Sequence, residues 1–123
     1  FKAALYLTSA TVNAATTAYS VTNEVSGTGY TAGGITVTAA TAPTATNSSA
    51  TAGVAFFTPS ASFVYTTVTL STAFDCVLLY NSTQSNKAVS VHTFGSQTIT
   101  AGTFTLTMPS NTTTTALLRL ATT

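Results

Sequence analysis

The sequence predicts an all-β chain, a single-domain antiparallel β-sandwich of jelly-roll type spanning residues 1–123. Three observations predict it. Apolar and hydroxyl residues alternate with a period of two over several runs, which places one face of each run inward. Glycine, proline and asparagine clusters punctuate those runs at short spacing, as they do in sandwiches and barrels. No segment carries helical spacing bracketed by caps; AATTAYSV (14–21) comes nearest, but its threonines and the strand-like stretch that follows argue against a helix.

Taken in order, KAALYL (2–7) opens the chain as a short strand. SGTGYTAGG (26–34) holds four of the seven glycines and reads as a turn region, since glycine supplies positive φ without steric cost. ITVT (35–38) turns Ile35 and Val37 inward. TAPTATNSSAT (41–51) reads as a loop, with breaks from Pro43 to Ser49 and again at Thr58-Pro59-Ser60. VYTTVTLST (64–72) sets Val68 and Leu70 against Thr67, Thr69 and Ser71; threonine suits the outer face because its β-branch favours the strand while its hydroxyl stays hydrated. FDCVLLYN (74–81) is apolar on both sides, with Phe74, Cys76, Leu78 and Tyr80 on one and Val77 and Leu79 on the other. That is the pattern of a central strand covered on both faces, one cover being open to a neighbouring subunit. The polar turn NSTQSN (81–86) leads into AVSVHTF (88–94), as in a hairpin, with Val89 and Val91 inward and Ala88, Ser90 and His92 outward. Breaks are expected at Gly95-Ser96, Ala101-Gly102 and Pro109 to Asn111. TFTLTMP (103–109) sets Phe104, Leu106 and Met108 against three threonines, and TALLRLA (115–121) opposes Leu117 and Arg119 to Leu118 and Leu120. About eight short strands result, with no repeat and no internal domain boundary; a chain this long can bury roughly two-thirds of its unfolded surface in one core.

The composition sets limits on function. Charged residues are 4% of the chain, against about 25% in ordinary soluble domains. Lys2, Lys87 and Arg119 are the basic residues and Glu24 and Asp75 the acidic ones. Three scattered cations make no phosphate track, so nucleic acid is not an expected partner. Net charge near zero favours association, a property that a secreted or crystalline-layer domain would share. Mean hydropathy is +0.39, with seven Phe and five Tyr, which excludes a disordered chain. No apolar run approaches the ~20 residues that span a bilayer, so no membrane is expected, and FKAALYL lacks the long apolar run and cleavage site of a signal peptide. The leading Phe1 suggests that residues precede it.

No catalytic, cofactor or metal site is expected. One His, one Cys, one Asp and one Glu fall short of a zinc or calcium ligand set in a monomer. Glu24 and Asp75 could pair as in a glycosidase by number alone, but Asp75 lies in an apolar strand and no tryptophan offers a sugar platform. A Ser–His92–Asp75 triad lacks the GxSxG elbow. The glycine cluster lacks the Lys-Ser/Thr ending and following helix of a phosphate loop. Cys76 reads as a buried inert thiol, and the sequons at Asn47, Asn81 and Asn111 are what a Ser/Thr-rich chain yields by chance.

The segments KAALYL (2–7), NEVSGTGYTAGG (23–34), CVLLYN (76–81), NKAVSVHTFGS (86–96), GTFTLTMP (102–109) and ALLRLA (116–121) resemble, in that order and over nearly the full length, a family of small virion proteins of tailed bacteriophages. Two departures stand out: Asp75-Cys76 replaces an Arg-Gly pair entering the central strand, and the tryptophan that often precedes it is missing. The resemblance implies a structural role in the particle, as a decoration or cement protein on the capsid surface or as a neck or tail component. Its partners would be the major capsid protein and other copies of the chain, in a homodimer or homotrimer. A carbohydrate- or host-surface-binding module is the remaining class, and would present Tyr19, Tyr30 or Tyr65 along one exposed groove. On physical grounds Glu24, Tyr30, Lys87 and Arg119 are the expected subunit contacts, while Gly27, Gly29, Gly33 and Gly34 serve turn geometry.

Overall fold

The computed structural model describes residues 1–38, 44–45 and 53–121. They form an all-β chain of seven strands: β1 (Lys2–Leu7), β2 (Ile35–Thr36), β3 (Thr44–Ala45), β4 (Val54–Phe57), β5 (Phe63–Asn81), β6 (Lys87–Leu106) and β7 (Leu118–Ala121). A four-stranded sheet has the order β2-β1-β5-β6 and a three-stranded sheet the order β3-β4-β7. The chain divides into two compact units, Phe1–Val37 with Val64–Thr105, and Thr38–Phe63 with Leu106–Thr123, where the sequence suggests no internal boundary.

In the first unit β1 runs antiparallel to both β2 and β5, with Ala4 opposite Leu78 and Tyr6 opposite Cys76. From Ala3 to Tyr6 and from Cys76 to Tyr80 every residue is buried. The two-sided apolar pattern of FDCVLLYN therefore belongs to a central strand, as expected, and its own chain supplies both covers. On one face Ala4, Tyr6, Cys76, Leu78 and Tyr80 pack with Ala10, Val12, Tyr19, Ala88 and Val91. A second cluster joins Phe74, Phe94 and Phe104, with Phe74 edge-on to Phe104 at 5.0 Å between ring centres.

The expected strands merge. VYTTVTLST and FDCVLLYN are one strand, β5, which keeps its inward pattern through two irregularities. At Thr67 the backbone takes φ +53°, and the buried positions shift phase from Phe63 and Tyr65 to Val68 and Leu70. Near Asp75 the register against β1 slips. Bulges of this kind insert a residue and twist the strand without ending it. Likewise β6 runs through Gly95-Ser96 and Ala101-Gly102, both expected to break it; a bulge-like φ of +46° at Ala101 is absorbed, and the Ala101 N–H donates to Thr69 Oγ1 at 3.0 Å. Asn81 ends β5 by accepting from the N–H and hydroxyl of Thr83, which closes the hairpin turn as expected.

Side-chain alternation holds in part. Phe104 is buried between exposed Thr103 and Thr105, Ile35 and Val37 lie inward of Thr36, and Ser90 and His92 share a side, 2.9 Å apart. Val89, expected inward, is 40% exposed.

In the second unit β4 pairs antiparallel with β3 and with β7, Phe56 standing opposite Arg119. Buried Thr58 accepts from the Leu117 N–H at 2.9 Å, and Ser62 Oγ from the Met108 N–H at 3.2 Å. The final strand is shorter than TALLRLA suggests because Thr112–Thr115 fold into hydroxyl-capped turns. Most of TAPTATNSSAT, with Asn47, lies outside the described residues, though Thr44–Ala45 within it form β3.

Candidate functional site

The most elaborate polar constellation centres on Glu24, which is 7% exposed. The backbone brings it there in steps. Leu7 N–H donates to Asn23 O and Val25 N–H to Leu5 O, both at 3.0 Å, so residues 23–25 run beside β1 with Glu24 bridged to Tyr6. Asn23 takes φ +59° to make the corner, a conformation asparagine tolerates better than most residues. The chain then passes along β5, where Thr28 bridges Thr69. Gly27 is required at that passage because a Cβ there would lie 2.0 Å from Thr69 O. The return over β1 needs Gly34, at φ +71°, where a Cβ would lie 1.7 Å from Ala3 O. The glycines do serve backbone geometry, and the motif packs against β1 and β5 as well as turning.

That path aims the Glu24 carboxylate into a ring of phenols. Oε1 accepts from the Tyr30 hydroxyl at 2.7 Å and from the Gly33 N–H at 2.8 Å, and Oε2 accepts from the Tyr19 hydroxyl at 2.7 Å. Tyr30 in turn accepts from the Leu5 N–H at 3.0 Å. The remaining three tyrosines donate to nearby carbonyls: Tyr80 to Gly33 O and Tyr65 to Ala3 O, each at 2.8 Å, and Tyr6 to Ser20 O. Tyr19 stacks on Tyr80 at 4.7 Å and Tyr30 on Tyr65 at 5.9 Å. All five tyrosines of the chain thus join one knot around one carboxylate.

Its electrostatics keep the phenols protonated. Burial pushes the Tyr6 phenol up to about 12. Burial, reinforced by the hydrogen bond to Glu24, raises Tyr19 and Tyr30 further, and burial with the nearby Glu24 charge raises Tyr65 and Tyr80. Phenols so perturbed stay protonated as donors at any ordinary pH. Cys76 is buried and its thiol is raised to about 11 by burial and then by Asp75, a poor nucleophile at neutral pH. Burial lowers His92. Among the described residues no three of His, Cys, Asp and Glu converge as a metal set.

Of the residues singled out as subunit contacts, Glu24 and Tyr30 are brought together and turned inward, where they bind each other. Lys87 is exposed at the start of β6, bridged through its backbone to Ala18. Arg119 is exposed on β7 in the other unit. Sequence reading missed Tyr6, Tyr19, Tyr65 and Tyr80 as partners of the knot; the one local signal was a lone glutamate flanked by Tyr19 and Tyr30 within six residues. Compared with protein-family models, with characterised proteins and with solved structures, the chain matches none of them.

Proposed function

We propose that the chain is a non-enzymatic structural protein of a virus particle, a decoration or cement protein that binds the outer surface of a tailed-phage head and stabilises it through many subunit contacts. The observation that carries this reading is a surface almost without ionisable groups. Along β5 and β6 most exposed positions are threonine or serine, such as Thr66, Thr67, Ser71, Thr93, Thr98 and Thr103, and Lys87 is the one ionisable side chain exposed on the two strands. Apolar Val21, Val64, Val89 and Leu120 are exposed among the described residues, Leu120 by 74%. Such a surface can be covered by a neighbour without stranding charges in the contact. Each contact can be weak, because repeated copies on one shell act multivalently.

Binding to a glycan is less well supported, since Tyr19, Tyr30 and Tyr65, the aromatic platform it would need, have their hydroxyls engaged inside the knot. The purified protein is expected to bind shells that lack it and to leave a glycan array blank. Counting copies in purified particles separates the shell from the neck or tail: hundreds support the decoration role, and a handful would move the protein to the tail. A protein that ignored both shells and tails would end the proposal.

A further inference from the structure

We infer that β6 is an interface strand, which pairs antiparallel with β6 of a second copy about a dyad at Gly95. This names the self-contact of the reading above and rests on it only for its biological purpose. In the four-stranded sheet β6 lies at one edge. Among the described residues its outer side is bonded only near the start, where Ala88 N–H donates to Thr17 O and Tyr19 N–H to Asn86 O, both at 2.9 Å. Beyond that, apart from the Gly95 carbonyl, which accepts from Gln97 Nε2 at 3.1 Å, no bond from another segment among the described residues covers the outer edge. Proteins normally blunt such an edge with charge, proline or brevity. β2, at the opposite edge, is blunted by its two-residue length. From Ala88 to Leu106 β6 has no Lys, Arg, Asp, Glu or Pro, and its irregular residue, Ala101, comes late.

A strand edge calls for another strand, and the sequence of β6 fits itself. Setting Gly95 opposite its own copy puts Val91 opposite Ile99, Val89 opposite Ala101, Ser90 opposite Thr100, His92 opposite Thr98 and Thr93 opposite Gln97. β-Branched Val91 and Ile99 meet each other, and four polar pairs or apolar–alanine contacts flank them. Phe94 stands opposite Ser96 as the one mixed pair beside the dyad, and no like charges meet, which on balance is a pairing that stabilises antiparallel strands. Moving the dyad to Phe94 or Ser96 sets Val91 against Gln97 or Thr93 against Ile99. At the dyad itself a Cβ on Gly95 would find nothing within 4 Å, so the position accepts a side chain without disturbing the strand. Beside Ala88–Val91 a groove of about 440 Å³, walled on its other side by Asn13, Ala14 and Thr16, leaves room for the end of the incoming strand. The contact is isologous, as a two-fold dimer requires.

Disulfide trapping in the full chain tests the register. In an antiparallel pair directly opposed Cα atoms are about 4.5–5.5 Å apart, within disulfide reach. Gly95→Cys should therefore cross-link to a covalent dimer under mild oxidation, while Thr93→Cys, displaced from its own copy by four residues along the strand, should not. Buried Cys76 stays out of reach. By sedimentation the wild type should be a dimer, Gly95→Lys, which sets two ammonium groups face to face, a monomer that keeps its melting profile, and Gly95→Val a dimer. Cross-linking at both positions, at 93 alone or at neither, or a monomeric wild type, would overturn the pairing. None of these readouts involves a shell, so a chain that decorates shells but fails to cross-link would refute the pairing and leave the proposed function standing.

Discussion

At the scale of single residues, Glu24 and its phenols hold the most concentrated polar energy in the described structure. Tyr30→Phe removes a donor from Glu24 and at the same time strips the Leu5 N–H of its acceptor. Leaving a buried donor unmet while weakening a charged hydrogen bond should cost about 2–3 kcal/mol, read as a lower urea midpoint with an unchanged slope. Tyr19→Phe, with one bond at stake, should cost about 1 kcal/mol. The phenols also set an alkaline limit. A folded pKa raised above the unfolded value means that the fold favours the protonated form. The stabilisation is then complete below the ordinary phenol value of 10.0 and is lost as pH climbs toward about 12, the value for Tyr6. Tyrosinate absorbance should rise cooperatively with loss of the β-sheet signal in that window; independent titration near the ordinary value would show that the phenols are not held by the fold.

At the scale of elements, the glycine motif is as demanding as any strand. Gly34→Ala drives a methyl into Ala3 O in a left-handed backbone, and the N-terminal strand should detach from its neighbour. Thermal melting is expected to show a loss of more than about 3 kcal/mol, since strain and a backbone clash add. This scale also shows what could be read in advance. The alternation of Phe104 with Thr103 and Thr105, the centrality of Cys76–Tyr80 and the hairpin turn at Asn81–Asn86 are local patterns, and all were legible. The continuity of β5 and β6 was not. Thr67 and Ala101 bend their strands through positive φ with residues that seldom adopt it, so nothing in the letters marks a bulge, while Gly95 and Gly102 advertise turns that are not made. The knot was invisible for a different reason: Tyr65 and Tyr80 reach Ala3 and Gly33 across 62 and 47 residues of sequence, distances over which no periodicity speaks. Scarcity drew attention to Glu24 as a subunit contact, and the structure turns its carboxylate inward, because phenols and an amide stand in for the cation that a buried carboxylate usually needs.

At the scale of the whole molecule, a net charge of +1 and a charged fraction of 4% make association depend on shape and apolar contact. If the proposed role holds, affinity for shells should therefore vary less than about threefold from low to high salt, unlike a charge-steered complex. Arg119 is the exception to test: it is exposed and stands opposite Phe56 in a four-residue strand. Arg119→Ala should weaken binding to particles more than it lowers the melting temperature. Equal losses in both would make the residue a prop of β4 and β7.

The bond from the Leu5 amide to the Tyr30 hydroxyl has one more consequence. Strand amides are ordinarily sealed by a carbonyl, so they release their hydrogen only when the sheet parts. This one is sealed by a side chain, and a swing of that ring alone would expose it to solvent. Its deuterium uptake is thus a clock for the loosening of the glycine motif, ticking independently of the strands on either side.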